Sequence, residues 1–188
     1  MTATASDVLL FWFGELPHES RAVWFRKDAA FDAAIGERFG VTVAAALEGA
    51  FSDWSLSARG ALARVILLDQ FTRNIYRDTP RAFAGDALAL GIATAIVGKG
   101  DDRALDRYER QFVYLPFEHS EAAAAQDRSV ELFDALARET GDDSLLPWAR
   151  RHAEIIRRFG RFPHRNAILG RVSTPEETAF LEEPGSRF

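Results

Sequence analysis

The stretch from Ser57 to Tyr76 decides the fold and reads SARGALARVILLDQFTRNIY. On a helical wheel at about 100° per residue, one side carries the apolar residues Leu67, Leu68, Phe71 and Ile75. The other side, which begins with Leu62, Val65 and Ile66, goes on to carry Asp69, Gln70, Arg73, Asn74 and Arg77. These polar side chains continue an apolar stripe. The stretch therefore predicts a long helix whose polar residues are at least half buried.

Asp69 and Arg73 within this helix form a pair of opposite charge at i,i+4 in the favourable order. Because a lone buried charge is costly, the pair implies a carboxylate–guanidinium contact. It is open to two interpretations. The polar residues form either a structural salt bridge on an exposed helix face, or one wall of a polar cavity that holds a ligand.

The rest of the chain repeats the helical period, interrupted by short turns rich in glycine, proline, serine and aspartate. Thr174, Pro175 and Glu177 supply an N-cap, an N1 proline and the N3 glutamate of a capping box. No run of alternating β-branched residues indicates a strand. The pattern predicts one all-α domain over residues 1–188, with antiparallel helix pairs and about 8–9 helices. These are expected over about 8–13, 29–51, 57–76, 81–97, 103–114, 120–140, 144–159 and 174–181.

Composition excludes several classes of function. The formal net charge of −5 argues against a general nucleic-acid binder, and the absence of cysteine excludes disulfides and thiolate sites. No stretch approaches the roughly 20 apolar residues of a membrane span, and the first residues lack a basic signal region. We therefore expect a cytoplasmic protein without a nucleic-acid or membrane partner. Among its basic residues only Lys27 and Lys99 are lysines, and arginine suits bidentate anion recognition.

A second polar motif, Tyr114-Leu115-Pro116-Phe117-Glu118-His119-Ser120-Glu121, is predicted to join two helices, one ending before Pro116 and one beginning at Ser120. A histidine between two carboxylates is suited to acid–base work, which makes Glu118, His119 and Glu121 candidate catalytic residues. The alternative is a capping cluster that fixes the helix junction. A metal site is not favoured, because no two histidines share one helix at ligand spacing.

The third motif, Arg157-Arg-Phe-Gly-Arg-Phe-Pro-His-Arg-Asn166, follows a helix that carries His152 on its apolar face. That position predicts a hydrogen-bonded core histidine. Gly160 and Pro163 place the rest in a loop, and loops on rigid frames often carry function. Arginine forks and an asparagine suit a carboxylate or phosphate, and the alternative is internal capping of carbonyls. The candidates are Arg161, His164, Arg165 and Asn166, which are expected to face Asp69–Arg77 and Glu118–Glu121.

These three motifs resemble the signature blocks of the bacterial family called domain of unknown function 924. The similarity extends to Phe11-Trp-Phe-Gly14, Trp24-Phe25, Phe83-Ala84 and Ser173-Thr-Pro-Glu-Glu177, and it covers nearly the whole chain. One departure is Thr72, where the family pattern has proline. The resemblance implies a tetratricopeptide-like helical fold. It implies no settled activity, and fold alone does not fix function.

Three functions remain in competition. A binding module would present Asp69, Gln70, Arg73, Asn74, Arg77, Arg161, Arg165 and Asn166 to an anionic small molecule or a peptide carboxylate. An enzyme would use His119 or His164 as acid–base group, Glu118 or Glu121 to orient it, and arginines to hold the substrate. A closed polar network would only lock the helices together. The binding module is favoured, with no cofactor or metal expected and no signal for an oligomeric state.

Overall fold

A computed structural model describes residues 2–186 of the protein, and every regular element in that range is helical. The all-α class is thus confirmed. The α-helices are α1 (Ala5–Phe13), α2 (Ala29–Leu47), α3 (Ala58–Val65), α4 (Thr72–Ile75), α5 (Asp86–Lys99), α6 (Arg107–Glu118), α7 (Ala123–Thr140), α8 (Leu146–Phe159) and α9 (Pro175–Leu181). Short 3₁₀ turns lie at Ala22–Trp24, Ser52–Leu56, Pro80–Phe83, Asp101–Ala104 and Pro163–Arg165.

The chain forms two compact units, each with its own internal packing. The first unit comprises Met1–Arg77 and Arg81–Phe117. The second comprises Asp78–Pro80 and Glu118–Phe188, so that the last residue of α6 already belongs to it. A single domain over 1–188 stays a prediction, and its end residues Met1, Arg187 and Phe188 lie outside the described range.

Aromatic side chains fill the core of the first unit. The fully buried ring of Phe112 on α6 lies 5.4 Å from Trp12, 5.5 Å from Phe13 and 5.1 Å from Trp24, measured between ring centroids. All three contacts are edge-to-face, the arrangement that aromatic quadrupoles favour. A helix as short as α1 is not stable in isolation, so the packing of its aromatic side chains stabilises it.

The central helix of the first unit contains a π-helical segment. Helix α3 passes into π turns over Ile66–Phe71 and then into α4, and residues 60–72 are all buried. The predicted helix over 57–76 is thus observed as one continuous rod. The periodicity could not reveal the π segment, because a wheel drawn at one fixed angle assumes uniform winding.

The second unit is built on the pair α7 and α8, which pack against each other. Gly141 ends α7 in the left-handed conformation (φ 73°), and α8 follows after a short turn. Phe133 and Leu136 of α7 and Ala149, Ala153 and Ile156 of α8 are buried. The Thr174–Glu177 capping box begins α9, as the sequence predicted.

Several predicted helix ends differ from the structure. Helix α2 ends at Leu47 and not at residue 51, α5 begins at Asp86 and not at residue 81, and α6 begins at Arg107 and not at residue 103. Helix α6 does not end before Pro116 but continues to Glu118, because residues 111–118 are all buried and that packing outweighs the proline. Helix α7 begins at Ala123, not at Ser120. Helix α1 begins at Ala5 with Thr4 as its N-cap, because the Thr4 and Asp7 side chains form a reciprocal capping box.

The segment Pro80–Lys99 contradicts the expectation that no stretch approaches a membrane span. It has 20 residues and a mean hydropathy of 1.4 over its most apolar 18, of which 28% are buried. By length and composition it is able to cross a membrane. One such helix is weak evidence, because core helices of soluble proteins pass the same test. The absence of a membrane partner therefore stays a prediction.

Candidate functional site

The buried ring of Phe162 lies at the centre of a group of polar side chains in the second unit. Gly160 ends α8 in the left-handed conformation (φ 71°), and the chain then turns Phe162 inward to 0% exposure. Three polar side chains pack around its ring. The His152 and His164 ring centroids lie 5.5 Å and 5.6 Å away, and the Arg165 guanidinium carbon lies 4.6 Å from the ring centroid.

The backbone of Phe162 is fixed by an ion pair that sequence reasoning did not find. Its N–H donates to Glu121 Oε1 at 2.8 Å, and its carbonyl accepts from Arg171 Nη2 at 3.1 Å. Arg171 also donates to both oxygens of Glu121, at 2.7 Å and 2.9 Å. Burial alone would raise the pKa of Glu121, but the Arg171 side chain and the Phe162 amide hold it below its ordinary value.

His152 is a core histidine, as its place on the helix predicted. It is 6% exposed, and its Nδ1 lies 2.9 Å from the Trp148 carbonyl oxygen and 3.2 Å from Glu118 Oε1. A carbonyl only accepts, so Nδ1 carries the hydrogen. Burial, with smaller contributions from the charges of His119, His164 and Arg165, lowers the pKa of His152 to about 3. The imidazole is therefore neutral at pH 7.

His164 is half-buried and is also neutral. Burial and then the charge of Arg165 lower the pKa of its imidazole to about 4, against an opposing effect of Glu121. His119, half-buried as well, acts on the pKa of both other histidines. We call the residues His119, His152, His164 and Arg165, together with Phe162, the histidine–arginine cluster. It combines the fixed positive charge of Arg165 with the neutral imidazoles of His152 and His164, and a neutral imidazole both donates and accepts hydrogen bonds.

Arg161 and Asn166, predicted to hold a ligand, bind a carboxylate of the same unit. Arg161 donates to both oxygens of Glu177, at 2.6 Å and 2.7 Å, and Asn166 Nδ2 donates to Glu177 Oε2 at 3.2 Å and to Ser173 Oγ at 3.0 Å. The Arg161 hydrogen bonds, joined by the Thr174 amide, lower the pKa of Glu177 to about 2 against its burial. These contacts tie α9 to the loop that carries the histidine–arginine cluster.

The Asp69–Arg77 motif belongs to the first unit and is paired there. Arg73 Nη1 lies 3.2 Å from Asp69 Oδ1 and 3.0 Å from Asp86 Oδ1, and Gln70 Nε2 donates to Asp69 Oδ2 at 2.5 Å. Burial would lower the pKa of Arg73, but the two carboxylates raise it. The expected Asp69–Arg73 pair is therefore present, with Asp86 as a second carboxylate.

Asn74 and Arg77 share one acceptor. Asn74 Nδ2 donates to Asp32 Oδ1 at 2.7 Å, and Arg77 donates to both Asp32 oxygens at 2.8 Å and 2.9 Å. Burial would raise the pKa of Asp32, but these hydrogen bonds lower it. The cations of this motif thus have carboxylate partners inside the first unit. Within the second unit, Glu121 of the second motif contacts Phe162 of the third.

A protein-family model described as "Bacterial protein of unknown function (DUF924)" matches residues 8–185. The chain belongs to this family. The structure is similar to a solved structure titled "Structure of Protein of Unknown Function ATU0120 from Agrobacterium tumefaciens". The two share 42% sequence identity with a TM-score of 0.85, over 95% of this chain and 96% of the other. A search of curated proteins finds no match.

One further polar group of this DUF924 protein, at the start of α6, was not predicted from the sequence. His18 Nδ1 lies 2.5 Å from Asp106 Oδ2, and ligand atoms of His18, Asp106 and Glu109 lie within 4.8 Å of one another. The Asp-x-x-Glu spacing at 106–109 was a visible capping-box signal. Asp106 accepts from the Glu109 amide at 2.9 Å and Glu109 accepts from the Asp106 amide at 3.2 Å. This group therefore caps α6, with His18 docked onto the cap.

Proposed function

We propose that this DUF924 protein is a binding module whose histidine–arginine cluster takes a carboxylate, from a small anionic molecule or a peptide end. The observation that carries the proposal is the gathering of Arg165 and two neutral imidazoles around the ring of Phe162. A guanidinium fork matches a carboxylate, and a neutral imidazole can donate a further hydrogen bond to it. His119 and His164 are both partly exposed to solvent.

The low pKa values favour binding over proton transfer. A general acid or base works best with a pKa near the operating pH, but His152 and His164 have pKa values of about 3 and 4. Glu121, a candidate orienting group, is engaged by Arg171. The enzyme hypothesis is therefore the second choice.

The proposal predicts that anion affinity depends on pH, because the charges of Arg165, His164 and the bound anion interact. The charge of Arg165 helps to lower the pKa of His164, so a bound anion would raise that pKa again. By linkage, protonation of His164 must then strengthen anion binding by the same factor. We predict that carboxylate affinity rises as the pH is lowered from 7 towards 5.

Calorimetric titration with peptides tests the proposal. Peptides ending in a free carboxylate are compared with their C-terminal amides, and succinate serves as a small-molecule probe. We expect only the carboxylates to bind, and we expect Arg165→Gln to weaken binding at least tenfold. Arg157→Gln removes the same charge from an exposed side chain paired with Asp127, and it should leave affinity unchanged. Equal binding of acid and amide peptides would refute the proposal.

A further inference from the structure

A cavity of about 380 Å³ lies in the first unit, between the Ser52–Leu56 turn, α3 and α5. Its volume lies within the range of small-molecule sites. Its walls are mostly small or aliphatic, and they include Ala58, Ala61, Leu88, Gly91, Ile92 and Ile96. Lys99 and Asp101 add one charge of each sign. None of the three polar motifs contributes to it.

Arg64 lines this cavity, and its buried guanidinium forms no ion pair with a carboxylate within residues 2–186. It is 9% exposed, and its Nη1 donates to the Ser55 hydroxyl at 2.7 Å. No acceptor within residues 2–186 reaches its buried Nε. Burial lowers the pKa of Arg64, and Asp53 offsets only part of that effect. By contrast, Arg73, Arg77, Arg161 and Arg171 each contact a carboxylate.

Local sequence explains why Ser55 reaches Arg64. A Cβ atom on Gly60 would lie 2.1 Å from the Trp54 carbonyl oxygen, so only glycine lets the Ser52–Leu56 turn rest on α3. Arg64 follows Gly60 by one helical turn. The approach of the turn thus brings the Ser55 hydroxyl within hydrogen-bond distance of the buried cation, whereas Asp53 of the same turn acts on it only through its charge. A buried guanidinium without an ion pair is costly, and an anionic ligand bound in the cavity would offset that cost.

We propose that the cavity binds a small monocarboxylate with a short apolar body. Its carboxylate contacts Arg64 and Ser55, and its apolar part lies along the small side chains of α3 and α5. Among the charged residues that line the cavity, Arg64 and Lys99 against Asp101 leave one net positive charge, which suits a monoanion better than a phosphate dianion. This site is in the first unit and is independent of the histidine–arginine cluster.

Two glycines of α5 allow a matched test. Gly91 lines the cavity and Gly98 does not, and a Cβ added at either position has nothing within 4 Å. Gly91→Leu therefore places a side chain in the cavity, whereas Gly98→Leu makes the same substitution at a position of α5 that does not line it. Both replace a helix-interior glycine with a good helix former, so both variants should fold. Arg64→Met removes the charge and keeps an apolar stem.

Calorimetric titration with hexanoate is the experiment, with hexanol and inorganic phosphate as comparison probes. In the Arg165→Gln background, which removes the proposed carboxylate site of the histidine–arginine cluster, we expect hexanoate to bind the unaltered cavity and the Gly98→Leu variant alike. Gly91→Leu and Arg64→Met should each weaken binding at least tenfold, and hexanol and phosphate should bind at least tenfold more weakly. Without ligand, Arg64→Met should unfold at the same or a higher temperature than the wild type. Failure of hexanoate to bind, equal binding to Gly91→Leu, or tighter binding of phosphate would overturn the proposal.

Discussion

Among single residues, Glu177 is a buried carboxylate that receives several hydrogen bonds. Glu177 is 2% exposed and accepts from Arg161, Asn166 and the Thr174 amide. Glu177→Gln replaces the carboxylate with an amide that accepts through only one oxygen. We predict a loss of about 2 kcal/mol in the free energy of unfolding, measured by urea denaturation.

The neighbouring Glu176 is the control. It pairs with Arg158 at 3.2 Å through side chains that are 66% and 44% exposed, and such surface pairs contribute little. Glu176→Gln should therefore leave the urea midpoint close to that of the wild type. Equal losses from the two variants would contradict the role given to burial.

Contacts between residues one helical turn apart could be predicted from the sequence, but contacts between residues far apart in the chain could not. The Asp69–Arg73 contact was predictable because the two residues are one helical turn apart. Glu121 and Arg171 are 50 positions apart, and Asp32 and Arg77 are 45 positions apart. Helical periodicity carries no information on such pairs, because the packing of whole helices determines them.

At the scale of elements, the close approach of α5 to the π-helical segment depends on one glycine. A Cβ on Gly85 would lie 2.2 Å from the Leu68 carbonyl oxygen, which also accepts from the Thr72 hydroxyl at 2.8 Å. Gly85→Ala must therefore push α5 away from the helix. We predict a loss of about 3 kcal/mol in the free energy of unfolding, the size typical of backbone clashes and overpacking.

Gly91→Ala on the same helix is the matched control for that change. Its new methyl group meets nothing within 4 Å, and alanine is the better helix former. It should raise the free energy of unfolding by roughly 0.5–1 kcal/mol. If Gly85→Ala is as stable as Gly91→Ala, the close approach at Leu68 is not rigid.

At the scale of the whole molecule, the buried histidines make stability depend on pH. In the unfolded chain the pKa values of His152 and His164 are near the ordinary histidine value of 6.5, but in the native state they are about 3 and 4. Between pH 6.5 and 4.5 the unfolded state therefore binds more protons. The free energy of unfolding must fall as the pH is lowered, by about 1–2 kcal/mol per pH unit.

Urea denaturation at pH 7, 6 and 5 measures this slope. Glu121 and Glu177 have lowered pKa values, and their contribution is lost only below about pH 4.5, outside this window. The double variant His152→Gln, His164→Gln should have a flatter profile than the wild type. A wild-type profile that is flat between pH 7 and 5 would show that the two imidazoles are not held neutral.

Nuclear magnetic resonance of the four histidine rings measures whether a carboxylate binds at the histidine–arginine cluster. We predict that the pKa of His164 is about 4 in the free protein, and that a saturating carboxylate-ended peptide raises this pKa and shifts the His152 and His164 ring signals. The signal of His18, which lies in the first unit, should not move, and Arg165→Gln should abolish the shifts. Titration of His164 near pH 6.5, unaltered by the peptide, would contradict the account.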